Sequence, residues 1–120
     1  MNILIVDDNK RFADALKFMI LEHFSDRVSE IFNANNGVEC LDILLKKSID
    51  IVFMDKEMPV MDGVETTKKA VDMYRDLKII AVSFHSEIQD ITRMLEAGAR
   101  NYIVKEEITP EIINKCLSKI

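Results

Sequence analysis

The chain has 120 residues, 48% of them hydrophobic and 31% charged, with a formal net charge of −5. This is one domain's worth of sequence with apolar surface for a real core, which excludes a disordered tail, and its scattered Lys and Arg give no basis for direct nucleic-acid binding or for attachment to an anionic membrane. No apolar run approaches the length of a membrane span and the start "MNILIVDD" is too short and too acidic for a signal peptide, so a cytoplasmic protein is expected.

In chain order, short apolar runs alternate with amphipathic stretches of helical length. Asn2–Val6 reads as a strand and Lys10–Phe24 as a helix. Val28–Asn33 is a second, more polar strand, followed by a helix over Gly37–Lys47 that Asn36 caps, with Glu39 three positions on. Ile51–Met54 is a strand that delivers Asp55 at its tip. Gly63–Tyr74 is a helix with Asp62 as cap and Glu65 behind it. Lys78–Val82 is a strand, and Glu87–Ala97 a helix in which Ser86 is the expected cap and Gly98 the left-handed stop. Asn101–Val104 completes the strands, and Thr109–Pro110 opens a last helix over Pro110–Lys119.

Repeated strand-then-helix units require a parallel sheet, because each parallel crossover needs a connecting helix. The first, third and fourth strands are apolar almost throughout, as strands covered on both faces must be, whereas "VSEIFN" suits an edge. The expected fold is α/β, a flavodoxin-like doubly wound (βα)5 with five parallel strands in order 2-1-3-4-5 and helices on both faces, as one domain over residues 1–120. Cys40 and Cys116 would lie on opposite faces of that sheet, as reduced buried thiols without metal-ligand spacing.

In such folds chemistry gathers at the carboxyl ends of the strands. Asp7 and Asp8 follow the first strand and Asp55 the third, so three carboxylates share one crevice if these strands are neighbours. Two unit charges about 4 Å apart repel by roughly 4 kcal/mol at a near-surface effective dielectric. A compensating cation is therefore required: a hard divalent ion, a lysine, or both. Carboxylate oxygens with room for water suit Mg²⁺. Lys105 stands at the tip of the fifth strand and Ser83 at that of the fourth. The set fits phosphoryl transfer to a carboxylate, with Asp55 as nucleophile and Lys105 and Ser83 as donors to the phosphoryl oxygens. Taken singly, each residue has a plainer reading. Asp8 could cap the first helix, Asp55 could be a turn acid, Ser83 a loop hydroxyl and Lys105 a solvated charge. It is the conjunction that points to chemistry.

At "ILIVDDN", "DIVFMDKEMPVMDG", "KIIAVS" and "LEAGARNYIVK", in that order, the chain resembles the receiver domain of bacterial two-component response regulators, over all 120 residues. The resemblance implies a phosphoacceptor at Asp55 served by a sensor histidine kinase. It implies Mg²⁺, with Mn²⁺ as a substitute, held directly by Asp8 and Asp55, through water by Asp7, and by the backbone carbonyl of Glu57. It makes Ser83 and Lys105 the phosphate-sensing pair and Tyr102 the aromatic that turns inward as the hydroxyl moves. The output would be the face of the fourth helix, fifth strand and fifth helix, with a phosphorylation-dependent homodimer as a further partner.

Two positions depart from the family pattern. Glu106 follows Lys105 where proline is usual, which puts the peptide geometry there in question, and bulky Phe84 follows Ser83 where a small residue is common. The run "VSFHSE" is similar to receivers joined to LuxR-type helix-turn-helix output domains, so a DNA-binding output domain outside this chain is expected; a free-standing single-domain regulator is the alternative. Phe84 and His85 would flank the path of an attacking water and so set the lifetime of the phosphorylated state. The rival readings are a small phosphohydrolase, a flavodoxin-like cofactor carrier and a receiver-like module that is never phosphorylated. Glu57 stands where the hydrolase needs a second aspartate, and "DDNK" repels a cofactor phosphate, whereas the complete acid set argues against the third.

Overall fold

The structure, a computed structural model, describes residues 1–118. Five strands, β1 (Asn2–Val6), β2 (Glu30–Ala34), β3 (Ile51–Asp55), β4 (Lys78–Ser83) and β5 (Asn101–Val104), form one sheet in the order β2-β1-β3-β4-β5. Every neighbouring pair is parallel. The helices are α1 (Lys10–Phe24), α2 (Gly37–Lys46), α3 (Gly63–Met73), α4 (Ile88–Ala97) and α5 (Pro110–Cys116). The expected doubly wound fold is the observed one.

The side chains of β1, β3 and β4 alternate between two separate cores, as the two-residue period of a strand demands. Ile3, Ile5, Ile51, Phe53, Ile80 and Val82 pack under α1 and α5 with Leu16, Ile20 and Ile113. Leu4, Val6, Val52, Met54, Ile79 and Ala81 pack on the opposite face with Leu44, Ala70 and Met94 from α2, α3 and α4. Cys40 belongs to the second core and Cys116 to the first; both are free, and burial pushes the Cys40 thiol up to about 12.

Local chemistry sets most helix starts. Asn36 Oδ1 accepts the Glu39 N–H at 2.9 Å, Asp62 Oδ1 accepts the Glu65 N–H at 2.9 Å, and the Thr109 hydroxyl accepts the Ile112 N–H at 3.2 Å. Gly98 ends α4 at φ 123°, a conformation that suits glycine.

Several expected boundaries shift. β2, β3 and β4 run one residue further, to Ala34, Asp55 and Ser83, and α2 and α3 end one residue earlier, at Lys46 and Met73. Three others have a structural reason or a larger offset. The second strand begins at Glu30 rather than Val28, because a 3₁₀ turn over Ser25–Arg27 follows α1 and leaves Val28 as its cap, packed against the core. The fourth helix begins at Ile88, with Glu87 as the N-cap and no side-chain cap bond, so Ser86 is not the cap. The fifth helix ends at Cys116, short of the predicted end, and Lys119 lies outside the described residues.

Candidate functional site

At the carboxyl edge of the sheet, Asp8, Asn9, Asp55, Glu57, Ser83, Phe84, His85 and Lys105 line a crevice of about 210 Å³. Asp7, almost fully buried, also contributes to the acid group of this crevice: one ligand oxygen from each of Asp7, Asp8 and Asp55 lies within 4.8 Å of the other two. The β1–β3 pairing brings these acids together, since Val6 sits opposite Met54 in register.

Each acid has a distinct environment. Asp7 Oδ1 accepts the Asn9 N–H at 2.8 Å, and its Oδ2 lies 2.7 Å from Lys105 Nζ. Asp55 Oδ1 is 3.5 Å from the same ammonium. Burial, followed by repulsion from Asp7, raises the Asp55 carboxyl to about 7, although Lys105 pulls it the other way. Asp8 is exposed and is not the cap of α1; that role falls to Asn9, whose Oδ1 accepts the Phe12 N–H at 3.1 Å. Among the described residues the Asp8 carboxylate has no hydrogen bond or ion pair, so its oxygens remain free for a ligand. Three hard oxygen donors, with the one lysine in reach already shared between two of them, fit a divalent cation of the Mg²⁺ type.

Lys105 is buried, so it is no solvated surface charge. Its ammonium sits between the rings of Phe12, 4.5 Å away, and Phe84, 5.0 Å away. Phe84 is itself 53% exposed, forming one wall of the crevice mouth. The Lys105–Glu106 peptide is trans.

Ser83 is buried at the end of β4, and its Oγ accepts the His85 N–H at 3.1 Å. Tyr102, half-buried on β5, donates its hydroxyl to the His85 carbonyl at 2.8 Å. His85 Nε2 in turn meets the Glu57 carboxylate. Ser83, His85, Tyr102 and Glu57 are thus linked around the connection from β4 to α4.

The loop after Asp55 is held from both sides. Gly63 N–H donates to the Lys56 carbonyl at 2.8 Å, and a Cβ at Gly63 would stand 2.1 Å from the Asp55 carbonyl oxygen. Only glycine allows α3 to start this close to the end of β3. Between them, Met61 N–H bonds back to the Pro59 carbonyl at 2.8 Å, and Val60 adopts φ 72° with an exposed side chain. For a β-branched residue that is a strained conformation.

The motifs single out neither Phe12 nor Lys56. Phe12 lies on an apolar position of α1, and its ring meets the Lys105 ammonium. Lys56 follows the strand tip and is buried, with its Nζ 3.0 Å from Asp90 Oδ1. The period of β3 carried the missing signal. If 52 and 54 face α2, α3 and α4, so does 56.

This geometry defines a class: a doubly wound domain with an acid cluster, a hydroxyl and a buried lysine at the carboxyl ends of its strands. A family model described as the response regulator receiver domain matches residues 3–117. The chain belongs to that family, whose members are phosphoacceptors in signalling rather than metabolic enzymes, and the small-phosphohydrolase and cofactor-carrier readings fall away.

The chain is 31% identical over 113 residues to the uncharacterized transcriptional regulatory protein YhcZ of Bacillus subtilis, covering 94% of this chain and 52% of that protein. It is 33% identical over 123 residues to a chemotaxis protein CheY homolog of Campylobacter jejuni, covering 100% of this chain and 92% of that protein. A CheY-like receiver domain protein from Methanospirillum hungatei superposes with a TM-score of 0.83 at 25% identity, over 95% of this chain and 87% of that one. The chain spans about half the length of YhcZ, and 44% of the transcriptional regulatory protein DegU of Brevibacillus brevis.

Proposed function

We propose that Asp55 is the phosphoacceptor of this receiver domain, taking its phosphoryl group from the phosphohistidine of a sensor kinase. One observation carries the reading: Asp7, Asp8 and Asp55 converge in a single crevice with Lys105 bridging two of them. In the reaction an Asp55 carboxylate oxygen attacks phosphorus, the phosphorus–nitrogen bond breaks, and the imidazole leaves with the electron pair. Lys105 lies ready to donate to a phosphoryl oxygen, and Ser83 Oγ to a second one once it turns from its present partner. Asp8 and Asp55, with Asp7 and the Glu57 carbonyl, would hold Mg²⁺, or Mn²⁺ in its place, and the bound ion supplies neutralisation of charge on the phosphoryl oxygens.

Ser83 moving towards the new oxygens would draw the β4–α4 connection with it, and Tyr102, bonded to His85, would follow. The face formed by α4, β5 and α5 is the proposed output surface, for a homodimer or for an output domain. A LuxR-type DNA-binding partner domain is supported by the transcriptional regulators that this chain half covers. A free-standing regulator is supported by the Campylobacter homolog, which it covers almost end to end. A cytoplasmic setting follows from the kinase partner, and no described helix is long and apolar enough to cross a membrane. Phe84 and His85 stand at the crevice mouth and would set the rate at which water removes the phosphoryl group.

Incubation with Mg²⁺ and a small acyl phosphate tests the proposal. The wild-type protein is expected to gain the mass of one phosphoryl group and Asp55→Asn none. A wild-type protein of unchanged mass overturns it. Replacing Phe84 by alanine should change the dephosphorylation rate, and an unaltered rate removes Phe84 from the account.

A further inference from the structure

Lys56 is the residue next to the phosphoacceptor, yet its side chain leaves the crevice for the opposite side of the sheet. There it meets Asp90 in the first turn of α4, with the lysine side chain 10% and the aspartate side chain 20% exposed. Burying an ammonium is costly without an opposite charge beside it, and no other ion pair of Lys56 exists among the described residues. The Asp90 carboxyl is correspondingly held below its ordinary range, chiefly by its hydrogen bond to Lys56.

The connection from β4 is held at His85, but beyond that the first turn of α4 has little else to fix it. Its N-cap, Glu87, makes no side-chain cap bond, and its first residue, Ile88, is 80% exposed. The buried contacts of the helix, Met94 and Ala97, lie towards its far end. A second bridge from the same loop, Glu57 to His85, is half exposed and therefore weak. His85, Glu87 and Asp90 are close enough together to hold a metal ion, but the ammonium of Lys56 already neutralises the Asp90 end of that group.

We propose that Lys56 and Asp90 form a tether that holds the first turn of α4 in the arrangement where Ser83 Oγ is engaged by the His85 N–H, and thereby sets how readily Asp55 accepts a phosphoryl group. The inference rests on Asp55 being the phosphoacceptor. Lys56 follows directly on β3, its carbonyl accepts the Gly63 N–H at 2.8 Å, and the backbone of its neighbour Asp55 is packed against Gly63. Asp90 is joined to Ser83 through residues 84–87 and the first residues of α4. A turn of Ser83 towards the phosphoryl oxygens that draws this connection along takes the Lys56–Asp90 pair out of its 3.0 Å contact. The pair thus favours the arrangement in which Ser83 faces His85, and the two residues act as positioning residues without touching the reacting atoms. Removing the attraction shifts the population towards the arrangement that receives the phosphoryl group.

The experiment uses Asp90→Asn, Lys56→Met, the double variant and the charge-swapped pair Lys56→Asp/Asp90→Lys. Phosphorylation by a small acyl phosphate with Mg²⁺ is followed by intact mass, amide hydrogen exchange of α4 is measured without donor, and urea midpoints are recorded. Each single variant is expected to be phosphorylated about fivefold faster or more, and the double variant no faster than either single one. Exchange at the start of α4 should rise while α2 is unchanged, and the charge swap should bring the rate back towards wild type. A merely structural pair would lower the urea midpoint and leave the rate alone, and that result overturns the tether, as does additivity in the double variant. Asp90→Asn keeps a hydrogen-bonding side chain at the less buried end, so it carries the test if Lys56→Met fails to fold. Wild-type protein that takes no phosphoryl group refutes the proposed function and the tether's link to it. Unchanged α4 exchange in Asp90→Asn refutes the tether alone.

Discussion

Asp55 is a buried acid beside another acid, and this has a consequence for stability. Its carboxyl is raised to about 7, so between about pH 4, the ordinary aspartate range, and about pH 7 the folded chain binds this proton more tightly than the unfolded chain does. In metal-free solution this residue's contribution therefore favours folding below that range and is lost as pH rises through it, levelling above about 7. Asp55→Asn should flatten that slope and raise stability at pH 7.5 by ~1–3 kcal/mol in urea titrations with chelator present. A variant no more stable than wild type would contradict the assigned environment. Lys105 acts in the opposite sense: Lys105→Met strands Asp7, which is 2% exposed and would lose the ammonium 2.7 Å away. The expected loss is about 3 kcal/mol at neutral pH in urea titrations. A variant as stable as wild type would argue against the pairing.

At the scale of elements, the helix starts separate what a local motif decides from what its neighbours decide. Asn36→Ala should destabilise the protein by ~1 kcal/mol, since Asn36 caps α2 at 2.9 Å, whereas Ser86→Ala should change the thermal midpoint hardly at all. The sequence pattern is the same in both places, a polar residue followed three positions later by Glu or Gln. It fails at Ser86 because the chain leaving β4 is already committed. Ser83 Oγ holds the His85 N–H, Tyr102 holds the His85 carbonyl, and both partners come from strands. Tertiary contacts of that sort leave no local trace. Strand identity was legible for the opposite reason, because β1, β3 and β4 are apolar at successive positions and only a sheet covered on both faces asks for that. The second strand was read two residues early because Val28 is apolar and half-buried without belonging to the ladder.

For the whole molecule, the topology placed the site before any side-chain geometry was known. Order 2-1-3-4-5 puts β1 beside β3, and Asp7, Asp8 and Asp55 then meet by register alone. Lys105 and Ser83 were legible in the same way, as the residues at the tips of β5 and β4. The Lys56–Asp90 pair was not, because its members come from elements whose contact depends on how α4 lies over the sheet. Phe12 is a similar case: α1 had to be docked before its ring could be seen against Lys105.

The sheet also works as a partition, and each side of it encloses a single sulfhydryl. Cys40 is sealed beneath α2 and Cys116 beneath α5, with relative exposures of 0% and 2%. A thiol reagent reaches either one only when its own layer opens, so the two labelling rates form a pair of independent clocks, one for each half of the interior. Under native conditions both should react far more slowly than a free cysteine peptide, and matching rates would mean that the halves open together. If phosphorylation loosens only the helices that rest on the Cys40 side, that clock alone should quicken.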